Sequence, residues 1–224
     1  MAKLQIYLEE AGQRTFAGAI EWPGLDRGSR DAGEAQAALI GALPRYRAAL
    51  GAAARGLPDP TDPSDLEVAE RHAGGGDTDF GIPSRGAKAD EAPVTTAQLR
   101  RLTRILEAAW AAFDASADAA RDVELRKGPR GGGRSVDKIR EHVLGGERAY
   151  LHRIGGTLGP GLEDLTSVRR AALDALGARA RNEPFEMGRR TAPLWTPRYF
   201  VRRSAWHALD HAWEIEDRSG PDPA

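Results

Sequence analysis

The chain contains no cysteine. Disulfides, cysteine zinc knuckles and cysteine nucleophiles are therefore excluded, and any bound metal must rest on histidine, aspartate or glutamate. Net charge is nearly absent as well. The 32 basic residues stand against 33 acidic ones, so no bulk positive field exists to hold nucleic acid. A DNA reader would need a local basic ribbon or a helix-turn-helix, and the sequence offers neither. No apolar run reaches the roughly 18 residues that a membrane helix requires. The chain opens on a strand-like segment instead of a basic and then apolar leader. The expectation is a soluble, cytoplasmic protein with neither membrane nor nucleic acid as a partner. Lysine is scarce too, confined to Lys3, Lys88, Lys127 and Lys138, while alanine is abundant; this bias fits a GC-rich genome better than a function.

What remains is ordinary globular material. Hydrophobic residues make up 41% of 224, enough to bury a core in one large domain or two modest ones. In "KLQIYLEE", Leu4, Ile6 and Leu8 share one face at period two, the mark of a half-buried strand. "RTFAGAIEW" predicts a second strand, antiparallel to the first, with residues 11–14 as the hairpin turn and Pro23-Gly24 as the stop. From Asp31, Leu39, Ile40, Leu43, Tyr46 and Leu50 fall at helical spacing, and Pro44 is expected to kink or divide that helix. "LEVAERHA" reads as a third strand. Residues 1–90 thus form a small α+β layer of strand-strand-helix-strand order, closed by the linker-like "RGAKADEAPV".

Residues 91–224 read as helical. Thr95-x-x-Gln98 is a capping-box pattern ahead of Leu99, Leu102, Ile105, Leu106, Ala109 and Phe113. A second helix starts near Ser135 and ends before Gly155-Gly156, and a third covers about residues 162–181. The fourth has Thr196 as N-cap and Pro197 at its first position, and runs to about Arg218. The fold class is an α+β N-terminal layer plus an all-α four-helix bundle. The Gly-rich "GPRGGGR" between the first two helices is read as a connection, since it lacks the phosphate-loop pattern.

The last helix carries "RSAWHALDHAWEIEDR". At about 100° per residue, His207, His211, Glu214, Arg218, Ser204 and Arg203 share one polar stripe, while Trp206, Leu209, Trp213 and Ile215 take the other faces. A helix apolar around most of its circumference should point that stripe into an interior or a cavity. Histidines at i and i+4 have Cβ atoms roughly 5–6 Å apart, close enough for both rings to reach one ion. On the second helix, His142 shares a face with Gly145 and Gly146. Glycine inside a helix costs about 1 kcal/mol relative to alanine, so something there needs the space. Three histidines from two helices would leave a ligand position open, the pattern of catalytic rather than structural sites. Asp210 and Glu214 are candidates for orienting the rings or for pairing with Arg153, Arg203 or Arg218. His152 reads as a surface residue, His72 as structural or exposed, and Trp206 and Trp213 as core.

"EHVLGGERAYL" and "WHALDHAWEIEDR" resemble the motifs of the DinB superfamily, and the likeness covers residues 95–218. It implies a four-helix bundle that binds a divalent metal through His142, His207 and His211. Relatives of known activity in that family include mycothiol-dependent isomerases and thiol S-transferases. The resemblance therefore implies zinc, nickel or iron as cofactor, and a small-molecule thiol and an electrophile as partners. Because this chain has no cysteine, the sulfur must come from a low-molecular-weight thiol, whose carboxylate Arg153, Arg203 or Arg218 could bind. Bundles of this type often pair, which makes a homodimer an expectation. The passage "FAGAIEWPGLDRGSRDAGEAQAAL" is similar to the strand-"PGL"-helix of HicB-like domains, over residues 1–80. The functional expectations are a metal-dependent thiol transferase or isomerase, a non-catalytic metal-binding or stress-linked scaffold, or an antitoxin-like regulator.

Overall fold

A computed structural model describes residues 3–127, 133–161, 163–183 and 193–220. Strands β1 (Leu4–Glu10) and β2 (Thr15–Ala19) form the expected antiparallel hairpin, with Ile6 opposite Ala19 and Glu10 opposite Thr15. Its turn is closed by the Ala11 N–H, which donates to the Arg14 carbonyl at 2.9 Å. A third strand, β3 (Asp26–Ser29), pairs antiparallel with β2 and was not expected from the sequence. Its "DRGS" has no apolar alternation to reveal it. Gly28 has a structural reason, since a Cβ there would meet the Phe16 ring at 2.8 Å. The last strand, β4 (Leu66–Ala73), runs parallel to β1, giving the sheet order β3-β2-β1-β4.

Helix α1 (Ala32–Leu50) crosses between β3 and β4 and packs against β2 and β3. The expectation that Pro44 would divide it is corrected for the division: one unbroken helix runs through the proline. Proline inside a helix costs about 3 kcal/mol or more in lost bonding and steric conflict. Burial of Leu39, Leu43, Tyr46 and Leu50 offsets that cost, and the Tyr46 hydroxyl donates to the Pro23 carbonyl at 2.8 Å. A short helix, α2 (Gly76–Phe80), follows β4.

The helical region comprises α3 (Thr96–Ala119), α4 (Val136–Ile154), α5 (Leu165–Ala180) and α6 (Pro197–Ser219). Each starts where a side chain accepts from an otherwise orphaned backbone N–H: Thr95 from Gln98, Ser135 from Lys138, Asp164 from Ser167 and Thr196 from Tyr199. The α3 cap is reciprocal, as the sequence predicted. Helix α4 stops on Gly155, whose φ of 100° lies in the left-handed region. Helix α5 ends at Ala180, within a residue of the expected 181, while its expected start at 162 and residues 128–132 of the Gly-rich connection lie outside the described residues.

Helix α6 packs against α3, α4 and α5, and α4 packs against α5. A buried charge cluster joins three of them. Arg169 of α5 donates to Glu147 of α4 at 2.9 and 3.1 Å and to Asp114 of α3 at 2.7 Å. Sheet and helices share one hydrophobic cluster that contains Leu8, Leu39, Phe113, Ile139, Phe200 and Ile215. Arg202 of α6 links the two parts. It is 3% exposed, donates to both Asp90 oxygens at 2.6 and 3.0 Å, and donates to the carbonyls of Ala19 and Ile20 at 2.8 and 2.5 Å. Among the described residues no helix is long and apolar enough to cross a membrane.

Candidate metal centre

Helix α6 is buried on nearly all sides, and its polar stripe turns inward as its pattern predicts. Its partner across the stripe is α4. His207 and His211 are 6% and 7% exposed, whereas His142 is exposed, so the centre is reachable from solvent on the α4 side. One ligand atom from each of His142, His207 and His211 lies within 4.8 Å of the others. The rings meet edge to face or tilted, at centroid distances of 4.7 to 5.2 Å.

The closest pair is His142 Nε2 and His207 Nε2, at 3.3 Å. Two nitrogens each about 2.0–2.1 Å from one tetrahedral ion would stand about 3.3–3.4 Å apart. An N–H···N hydrogen bond between neutral imidazoles gives the same separation, so metal content decides between the two. Other features fit the ion. His211 Nδ1 lies 2.8 Å from Glu214 Oε2, which places a proton on Nδ1 and, in the neutral ring, leaves the Nε2 lone pair as the atom that can ligate. Glu214 Oε1 in turn accepts from Arg218 at 2.7 Å, and Arg218 is fixed by donating to the carbonyls of Arg126 and Arg134 at 2.7 and 2.9 Å. The hydrogen bond from His211 holds the Glu214 carboxyl below the usual carboxylate range.

Charge at the other two rings is disfavoured. Burial drives His207 well below the ordinary histidine value, assisted by the His211, Arg203 and His142 charges. Burial also lowers His142, with the His211 and Arg134 charges adding to it. Neutral imidazole is the form that ligates metal.

The two glycines of α4 now separate. A Cβ at Gly146 would lie 2.6 Å from His207 Cε1, so this glycine makes room for the ring. Nothing lies within 4 Å of a Cβ at Gly145. The other singled-out residues fall in different places. Glu214 and Arg218 form the support behind His211. Asp210 is half-buried, its carboxyl raised by desolvation that the His211 and Arg27 charges partly offset. Arg203 lies over the rings of Trp206 and Tyr150, at 4.5 and 5.6 Å, and Arg153 over Trp195, at 5.1 Å. His152 is exposed, and His72 sits on β4 with its Nε2 2.9 Å from Glu70. Tyr150, whose ring stands 5.4 Å from His207, was not singled out, because at eight residues from His142 it lies about 80° around the helix from it. No family model matches the chain, and neither the curated proteins nor the solved structures contain a significant match.

Proposed function

We propose that this chain is a DinB-like metal protein, its helices α3 to α6 forming a four-helix bundle around a three-histidine centre that serves thiol-dependent transfer or isomerisation. The observation that carries the reading is the convergence of His142 with His207 and His211, backed by the Glu214–Arg218 pair. Zinc, nickel and iron all suit imidazole donors. A bound divalent ion lowers the pKa of a coordinated water or thiol, supplying hydroxide or thiolate at neutral pH.

The protein's own contribution is positional. His142, His207 and His211 would hold the ion, Glu214 keeps the proton on the outer nitrogen of His211, and Arg218 holds Glu214 in place. The absence of cysteine assigns the reacting sulfur to a small thiol that enters from the exposed His142 side.

Cobalt(II)-loaded protein titrated with N-acetylcysteine tests this directly. The expected result is a sulfur-to-cobalt charge-transfer band in the near ultraviolet, which His207→Ala abolishes. A cobalt protein that gives no band with any small thiol contradicts the thiol reading and leaves a metal-binding scaffold.

A further inference from the structure

Beside the histidine centre lies a separate cleft of about 480 Å³, within the size range of small-molecule sites. Its walls come from the C-terminal end of α4 (Tyr150, Arg153), the start of α6 (Tyr199, Arg203), the segment carrying Trp195 and the stretch 77–91 that follows β4. These walls are fixed. The Trp195 N–H donates to the Arg153 carbonyl at 2.8 Å, and the Tyr199 hydroxyl donates to the Ser84 carbonyl at 2.8 Å. The three rings form a continuous aromatic surface, with Tyr150 and Tyr199 each about 5 Å from Trp195, at 5.0 and 5.1 Å between centroids.

Among the described residues, the guanidiniums of Arg203 and Arg153 in this cleft make no ion pair and each keeps a buried nitrogen without a partner. Arg203 is 8% exposed, and its Nη1 has no hydrogen-bond partner among the described residues. Arg153 Nε is likewise buried without a partner. A buried cationic group without an acceptor is costly, and an arginine fork matches a carboxylate in geometry. The acids of the cleft do not fill this role. Asp90 is held by Arg202, and Asp77 and Glu91 are exposed. The lining carries Arg85, Arg153 and Arg203 against Asp77, Asp90 and Glu91, three positive charges and three negative, and Asp90 is already engaged by Arg202. With the lining balanced and Asp90 engaged, a single carboxylate suits the cleft better than a phosphate dianion.

We propose that this cleft binds a ring-bearing carboxylate, its carboxylate on Arg203 and Arg153 and its ring against Tyr150, Trp195 and Tyr199. Arg203 is one helical turn before His207, about 6 Å along α6, and the Tyr150 ring touches His207. A ligand anchored here points its far end toward the histidine centre. The inference goes beyond the metal reading and does not rest on it.

The test is calorimetric titration of the full chain with benzoate after dialysis against EDTA, so that a carboxylate merely ligating a metal contributes nothing. Benzamide and inorganic phosphate serve as the uncharged and the ringless comparators. The expected result is saturable benzoate binding, with both comparators at least about ten-fold weaker, the scale of one charge-assisted hydrogen bond. Arg203→Gln and Arg153→Gln should each weaken benzoate by a similar factor. Arg153 is the more exposed of the two, so its variant remains informative if Arg203→Gln does not fold. No benzoate binding, benzamide or phosphate binding as tightly as benzoate, or unchanged affinity in a folded Arg153→Gln overturns the proposal.

Discussion

Gly145 and Gly146 are adjacent and chemically identical, yet a methyl group added to each has opposite consequences. At 145 it meets open space, and Gly145→Ala should stabilise the protein by up to about 1 kcal/mol with metal content unchanged. At 146 it strikes the His207 ring, and Gly146→Ala should lower metal affinity by on the order of ten-fold. Chemical denaturation together with metal analysis of the two variants checks both. Glu214→Gln should weaken metal binding about 10- to 100-fold, because the amide holds the His211 ring less firmly. Competition with a chromophoric chelator measures it, and wild-type affinity in that variant would remove Glu214 from the centre. Much of this was legible in the sequence, because i, i+4 histidines and a costly Gly-Gly are local patterns. The assignment of Gly146 to His207 was not, since it depends on how α4 faces α6, and the partnerless state of Arg203 and Arg153 is likewise a property of the packed molecule.

Among elements, α6 shows how an inverted amphipathic pattern works: the apolar circumference packs against its neighbours and the polar stripe becomes an interior site. The helices around it are tied by Arg169, 11% exposed, between Glu147 and Asp114. Burial raises the Glu147 carboxyl above its ordinary value, and the Arg169 hydrogen bond and charge partly restore its ionisation. Arg169→Ala leaves that carboxylate uncompensated and should destabilise the protein by about 3–5 kcal/mol, read from urea denaturation. A loss below about 1 kcal/mol would contradict a structural role for the cluster. The element starts were the most legible part of the fold, because Thr95, Ser135 and Thr196 each satisfy orphan N–H groups within a few residues. β3 was hidden because polar "DRGS" is held in place by its pairing with β2. The continuity of α1 was hidden because tertiary burial overrides the local penalty of Pro44.

Across the whole molecule, the sheet and the helices share a core and meet at a buried polar junction that no local pattern announces. There Tyr7 donates to Asp26 at 2.5 Å, and Arg202 lies 3.9 Å from the same carboxylate. Burial raises Asp26 to about 6 against the opposing Arg202 charge and Tyr7 hydrogen bond. A carboxyl whose folded value is raised binds its proton more tightly in the native state. Its contribution to stability is therefore greatest below its unfolded value near 4, and is lost as the pH rises through about 6. Asp26→Asn should gain stability relative to wild type between pH 4 and pH 7, and a constant difference across that range would contradict a proton held at Asp26. The shared core further predicts a single cooperative thermal transition instead of separate melting of residues 1–90.

Metal binding by His142, His207 and His211 is the property on which the proposed function depends. It is tested by elemental analysis of untagged protein, purified without chelator and then supplied with zinc or nickel, beside His207→Ala. The expected result is close to one divalent ion per chain and its loss in the variant. Protein that takes up no metal, or a variant that keeps it, would mean that the 3.3 Å approach of His142 and His207 is an imidazole hydrogen bond and not a metal centre.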